Sequence, residues 1–167
     1  MILTIWRHGE AGSAVTDRQR QLTGQGRDDI SFACHQYHEH CSARSLSHPE
    51  LILFSEWQRT TETADIIAGA FSHALLESCD ALIPGRKVSD VDVALENLAV
   101  SGLPEHLLLV SHQPLVSSLV DYYLGEYGRV APLLPGGLAC ITMDTPAAGC
   151  GSLLFSAQPP EYEAVHW

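Results

Sequence analysis

Short apolar runs alternate with stretches of helical period along this chain, and that alternation restricts the fold more than any other feature. Ile2–Trp6, Leu51–Ser55 and Leu107–Ser111 are apolar runs of strand length and read as buried strands. Between them lie helical patterns. Thr23 is placed to cap a helix to about His40, with Ile30, Phe32, Ala33 and Tyr37 among its apolar positions. A second helix runs from about Gln58 to Phe71, with Ala64, Ile67, Ala68 and Phe71 on one stripe. Leu75 and Leu76 open a short edge strand, and Ser89 caps a helix to about Val100 with Val93, Leu95 and Leu98 apolar. Pro114 stands where the first turn of a helix tolerates proline, and that helix runs to about Leu124. Ala139–Met143 and Ser152–Phe155 read as two closing strands, and Gln158 to Trp167 as a tail or edge extension. Repeated strand–helix alternation implies a three-layer α/β/α sandwich around a mostly parallel sheet. With no internal repeat or linker, residues 1–167 read as one domain.

Bulk properties narrow the class. A chain of 167 residues can bury a sizeable core. It has no apolar stretch of the roughly 18 to 20 residues that a membrane span needs, and no signal-peptide pattern at its start, so a cytoplasmic setting is expected. Cys34, Cys41, Cys79, Cys140 and Cys150 are odd in number and form no Cys-x-x-Cys pair, which fits reduced thiols better than a disulfide framework. A net charge of −11 argues against a nucleic-acid surface. Yet arginine is gathered near the N-terminus at Arg18, Arg20 and Arg27, and the planar fork of arginine suits anion binding. For Arg18 and Arg27 taken singly, a solvated loop position is as good a reading.

Three strand ends then look alike. The first delivers Arg7-His8-Gly9. The second delivers Ser55-Glu56-Trp57-Gln58-Arg59-Thr60 at a helix start, and the third Ser111-His112-Gln113-Pro114, again at a helix start. Parallel strands place their C-terminal ends on one sheet edge, where open α/β sheets bind ligands. Arg7, His8, Arg59 and His112 are therefore expected to converge there, with helix N-termini adding N–H groups and partial positive charge. Such a pocket suits a tetrahedral dianion. Gly9 would let backbone approach the anion closely.

The constellation resembles the histidine phosphatase superfamily. It comprises Arg7-His8-Gly9, the Ser55…Arg59-Thr60…Thr63 segment and Ser111-His112, in that order, and covers most of the chain. The short length, Arg20-Gln21-Leu22-Thr23 and Ser111-His112-Gln113-Pro114-Leu115-Val116 make it similar to the SixA-type phosphohistidine phosphatases. The resemblance implies a phosphoglycerate mutase-like fold. It implies that His8 is the nucleophile, that Arg7 and Arg59 clamp the phosphoryl oxygens, that His112 donates to them, and that Arg20 is a further phosphate-binding arginine. It calls for no cofactor and no metal, because arginines and imidazoles supply the positive charge.

The resemblance also points at a substrate class. Ester-cleaving members usually carry an acidic proton donor, either past mid-chain or beside the second histidine. Here Gln113 follows His112, and Asp80-Ala81-Leu82-Ile83-Pro84-Gly85 offers no obvious glutamate. An imidazole leaving group needs less proton assistance than an alkoxide, which favours a P–N substrate. Glu10 and Asp17 are weak candidates for proton transfer, and Glu10 reads rather as a structural or exposed loop residue. The span from Ser72 to Ser89 leaves little room for a lid, which suits a phosphohistidine displayed on a phosphorelay (HPt-type) protein. Since the chain is acidic overall, the local field at the pocket must dominate there. Two alternatives remain: a phosphatase or mutase for small phosphate esters, and a non-catalytic phosphate-binding module.

Two features depart from the pattern. Glu56 and Trp57 stand where members commonly have proline and a small or apolar residue. Glu56 would repel phosphate unless it points away, and Trp57 is placed to line the mouth. Ser55 reads as a helix cap and Ser111 as a strand-end packing residue. Separately, Cys34, His38 and Cys41 share one helix face, a spacing open to metal. With no second ligand cluster in the sequence, a face with a buried cysteine and exposed histidines is the better reading.

Overall fold

A computed structural model describes residues 1–166. Six strands form one sheet: β1 (Ile2–Arg7), β2 (Leu51–Phe54), β3 (Leu75–Ser78), β4 (His106–Ser111), β5 (Leu138–Met143) and β6 (Gly151–Ala157). Their order across the sheet is β3-β2-β4-β1-β5-β6. The β1–β4, β2–β4 and β2–β3 pairs are parallel, and β5 runs antiparallel to both β1 and β6. All the strands but β5 thus point the same way.

Four helices cover the faces: α1 (Gly24–Ala43), α2 (Gln58–Ala70), α3 (Val88–Ser101) and α4 (Leu115–Leu124). The period-2 alternation of the strands divides the core in two. Leu3, Ile5, Leu51, Leu53, Leu107 and Leu109 pack with Val91, Leu95, Val116 and Leu119 of α3 and α4. Trp6, Ile52, Leu108 and Val110 pack with Ile30, Ala33, Ala64 and Ile67 of α1 and α2. The expected three-layer α/β/α arrangement is therefore present.

Several local expectations change. Thr23 does cap α1, its hydroxyl accepting from Gly26 N at 2.9 Å. Ser89 does not cap α3; it lies inside the first turn, where Lys87 N instead donates to the Asp90 carboxylate at 2.8 Å. Phe32 and Val93, read as apolar helix positions, are exposed. The C-terminal residues are more than a tail. They fold back so that Val165 pairs with Ser156 and Tyr162 is fully buried. Trp167 lies outside the described residues.

The span between α2 and α3 goes into the sheet edge as β3 and into a 3-10 turn at Asp80–Leu82. Leu82 is buried, and its carbonyl accepts from Ser111 Oγ at 2.7 Å. The five cysteines are free. On α1, Cys34 and Cys41 are buried, and the exposed His38 ring lies 4.7 Å from that of His48. Among the described residues no group of three or more such side chains could hold a metal ion, and no helix is long and apolar enough to cross a membrane.

Candidate active site

The C-terminal edge of the central strands brings four of the five expected residues together, with His8, Arg59 and His112 buried and Arg7 half-buried. β1 ends at Arg7, and His8 continues it, its N–H bonded to Ser111 O at 3.1 Å and its carbonyl accepting from Gly136 N at 2.8 Å. The chain is thereby tied to β4 on one side and to the 133–137 turn on the other. Gly9 N donates to Thr63 Oγ1 at 3.1 Å, and that hydroxyl donates to Arg59 O at 2.7 Å. Thr63 thus couples the triplet to the first turns of α2. Gly9 itself serves packing. A Cβ there would meet Gly26 O and Ile30 Cγ1 at 3.0 Å, so its missing side chain makes room for α1.

The His8 ring is held by a partner at each nitrogen. Its Nδ1 lies 2.7 Å from Gly9 O, and a carbonyl can only accept, so the ring proton sits on Nδ1. Nε2 then carries the lone pair and receives Arg59 Nε–H at 3.2 Å. Burial, followed by the charges of Arg59, Arg7 and Arg20, lowers the His8 pKa to about 4, although its bond to Gly9 works the other way. The ring is neutral at neutral pH. His112 lies alongside, with ring centroids 5.2 Å apart, and burial with the neighbouring His8 and Arg59 lowers its pKa to about 3.

Ser55 is more than the helix cap its position implied. It is fully buried, its hydroxyl lies 2.8 Å from His112 Nε2, and Trp57 rather than Ser55 stands at the start of α2. The Trp57 ring closes on His112 at 5.6 Å, and the Arg59 guanidinium sits 5.2 Å from that ring's centroid. Glu56 points to the rim, where it pairs with Arg18 at 2.5 Å. Trp57 thus lies at the site as its place beside Glu56 implied, whereas no local pattern marks Ser55 for its contact with His112.

The arginines are fixed by backbone oxygens. Arg7 Nη1 donates to Leu133 O at 2.8 Å, and Arg59 Nη1 to Asp17 O at 2.7 Å. Burial and the charge of Arg59 both lower the pKa of Arg7. Arg20 is held in the preceding loop, donating to Gly12 O at 2.8 Å, Ala11 O at 3.3 Å and Asp17 Oδ1 at 3.1 Å. Asp17 also meets Arg59 Nη2 at 3.3 Å through Oδ2. Burial opposes its carboxylate, but the Arg20 hydrogen bond and the Arg59 charge outweigh it and hold its pKa below the ordinary value. Glu10 is tied to Thr23, which donates to it at 2.7 Å, and braces the start of α1.

Two buried polar atoms of the cluster, Arg7 Nε and His112 Nδ1, have no hydrogen-bond partner. Trp6 Nε1, Ser47 Oγ and Tyr162 Oη are likewise unpaired elsewhere, but these two atoms lie in the cluster with the guanidiniums of Arg7 and Arg59, a setting that suits an anion. Gln113 does not supply the acid that esters need. Its amide donates to Ser117 Oγ at 2.7 Å and to Leu133 O at 3.0 Å, the carbonyl that also holds Arg7. An open polar hollow of about 500 Å³ flanks the same turns, lined by Thr16, Arg18, Gln19, Gln21, Glu56 and Gln58.

Solved structures carry the same architecture. The protein histidine phosphatase SixA, solved in complex with tungstate, superposes with a TM-score of 0.74 at 25% identity, over 95% of this chain and 97% of that one. This chain has the histidine phosphatase fold. The α-ribazole phosphatase of Shigella flexneri matches with a TM-score of 0.66 at 16% identity, over 89% of this chain and 93% of that one. An Entamoeba histolytica phosphoserine phosphatase mutant matches with a TM-score of 0.65 at 14% identity, over 93% and 95%. No family model matches the chain, and no curated protein matches it in sequence. In the histidine phosphatase fold of this chain, tetrahedral oxyanion chemistry fits the two arginines, the two imidazoles and the two partnerless buried atoms.

Proposed function

We propose that the protein is a phosphohistidine phosphatase that removes phosphate from a phosphorylated histidine on a phosphorelay (HPt-type) protein. The observation that carries the reading is the Nε2 lone pair of His8, fixed toward Arg59 by the Nδ1–Gly9 bond. In the first step His8 Nε2 attacks phosphorus, the substrate P–N bond breaks, and the departing imidazole nitrogen takes a proton from solvent. In the second, water attacks the phosphohistidine, its proton passes to solvent, and inorganic phosphate leaves with His8 restored. Arg7, Arg59 and His112 hold the transferring oxygens, and Arg20 adds charge from the loop. Such transfer relies on positioning and charge stabilisation, and the covalent intermediate splits one displacement into two.

The amide of Gln113, turned to Ser117 and Leu133, and the absence of a lid in the 72–89 span both favour a nitrogen leaving group on a protein surface. The test offers phosphorylated histidine carriers beside a panel of phosphate esters. Fast loss of phosphate from a carrier, with slow ester turnover, supports the reading. Efficient ester turnover would replace it with a small-ester phosphatase. Radiolabel from the carrier should be trapped on wild-type protein and absent from His8→Ala. Phosphate binding without label or turnover would leave only a binding module.

A further inference from the structure

The arginine that would grip phosphate already has partners. Arg59 uses Nε on His8 Nε2 at 3.2 Å, Nη1 on Asp17 O at 2.7 Å and Nη2 on Asp17 Oδ2 at 3.3 Å. The same carboxylate reaches Arg20 Nη1 at 3.1 Å through its other oxygen. One carboxylate therefore bridges two guanidiniums beside the nucleophile. Its side chain is 55% exposed, while that of Arg59 is 6% exposed. An exposed, singly charged anion at the start of a one-turn 3-10 helix (Asp17–Gln19) is seated on a buried cation.

From this bridge we infer that Asp17 is an internal competitor for the phosphoryl group, a device that yields Arg59 and Arg20 to the incoming phosphate and reclaims them when it leaves. The inference rests on the phosphatase reading of the site. A phosphoryl group carries more charge and more acceptor oxygens than a carboxylate, so it displaces Asp17 readily. The Asp17 side of both ion pairs is exposed to solvent, which weakens them, so the exchange is close to balanced. That balance has a use. Two arginines clamping a dianion would retain inorganic phosphate after turnover. A carboxylate tethered at the same donors raises its rate of departure. The alternative is that Asp17 is only a brace, holding the guanidiniums in position for substrate. The two roles predict opposite signs: removing a competitor tightens phosphate binding, and removing a brace loosens it.

The experiment measures binding of inorganic phosphate by calorimetry, and its inhibition constant during dephosphorylation of a phosphohistidine carrier, for wild type, Asp17→Asn, Asp17→Ala and Glu56→Gln. Asp17→Asn keeps the shape and loses the charge; Asp17→Ala loses both. Glu56 is a carboxylate on the neighbouring rim, 44% exposed and committed to Arg18. Both Asp17 variants should bind phosphate about tenfold tighter, the scale of two partly exposed ion pairs, with an inhibition constant lowered alike. Glu56→Gln should stay within about twofold. Unchanged or weaker binding in the Asp17 variants, with wild type still binding phosphate, would overturn the inference and leave the phosphatase reading intact. Equal tightening in Glu56→Gln would overturn it too, by reducing the effect to general charge. A wild type that neither binds phosphate nor dephosphorylates the carrier would sink both.

Discussion

The two ends of the sheet each bury a histidine among polar groups, and they are built to opposite rules. At the N-terminal end of β4, His106 accepts from Thr4 or Tyr37 at Nε2, at 2.9 and 2.8 Å, while its Nδ1 lies 2.6 Å from Ser47 O. Thr4 Oγ1 and Tyr37 Oη are themselves 2.7 Å apart. The imidazole has a partner at each nitrogen, and no arginine acts on it. Burial lowers its pKa to about 4. At the other end His8 and His112 are lowered as far, but beside two arginines, and Arg7 Nε and His112 Nδ1 have no partner. A closed network fixes a core. An open one with surplus positive charge is prepared for something that arrives. A depressed histidine pKa alone does not distinguish the two; the arginines beside His8 and His112 do.

That contrast gives the largest expected effect. His112→Ala should lower kcat for phosphohistidine hydrolysis by about 10²- to 10³-fold, the usual loss when one stabilising donor is removed from a charged transition state. The His112 ring is buried, bonds to Ser55 and also packs against His8 and Trp57, so the thermal midpoint should fall as for other buried rings, while turnover measured well below that midpoint should still be lost. Steady-state turnover alongside a melting curve checks both halves. A large fall in stability with normal turnover would place His112 with His106 and dissolve the distinction.

The converse variant is His106→Ala. It strands Ser47 O and leaves a cavity beside Thr4 and Tyr37, so it should cost about 2–4 kcal/mol of stability. For a chain of this size that lowers the melting midpoint by roughly 5–12 °C. Below that midpoint kcat should change by less than about threefold, because the network acts on the core and touches no reacting atom. Denaturant titration and an activity assay well below the midpoint decide it. A loss of activity matching that of His112→Ala would mean the two ends are coupled.

The sequence made one end of this comparison legible and hid the other. Arg7, His8, Arg59 and His112 each follow a strand, so parallel pairing brings them to one edge, and the alternation of apolar runs was enough to see it. His106 has no such signal. It opens an apolar strand, and its partners Thr4 and Tyr37 are far away in sequence. The same limit applies within the site. Ser55 looked like a cap because its long-range contact with His112 spans two strand ends. Asp17 looked like a loop acid because nothing local announces Arg59. Ser89 failed as a cap because Asp90 can bond to the Lys87 N–H. Phe32 and Val93 followed the helical period but fall outside the faces that meet the sheet. Apolar periodicity reports which face is buried; it does not report which side chain a loop brings back across it.

The smallest expected effect separates the two ends by pH. His106 has a folded-state pKa of about 4, below its ordinary value of 6.5. The unfolded chain therefore binds the proton more readily, and the stability from keeping this ring neutral is complete above about pH 6.5 and lost as pH falls toward 4. The slope approaches about 1.4 kcal/mol per pH unit within that window. His106→Gln removes the titration, so its stability should fall by about 1 kcal/mol less than that of wild type between pH 6.5 and 5.5. His8 and His112 contribute acid loss of the same sign, but inorganic phosphate should relieve theirs, because a bound dianion favours the protonated rings. Phosphate has no access to the fully buried His106. Denaturant midpoints across that range, with and without phosphate, check both parts. Phosphate should flatten the pH dependence of wild type and His106→Gln by equal amounts. A phosphate effect that vanished in His106→Gln would show that one polar network, and not two, spans the sheet.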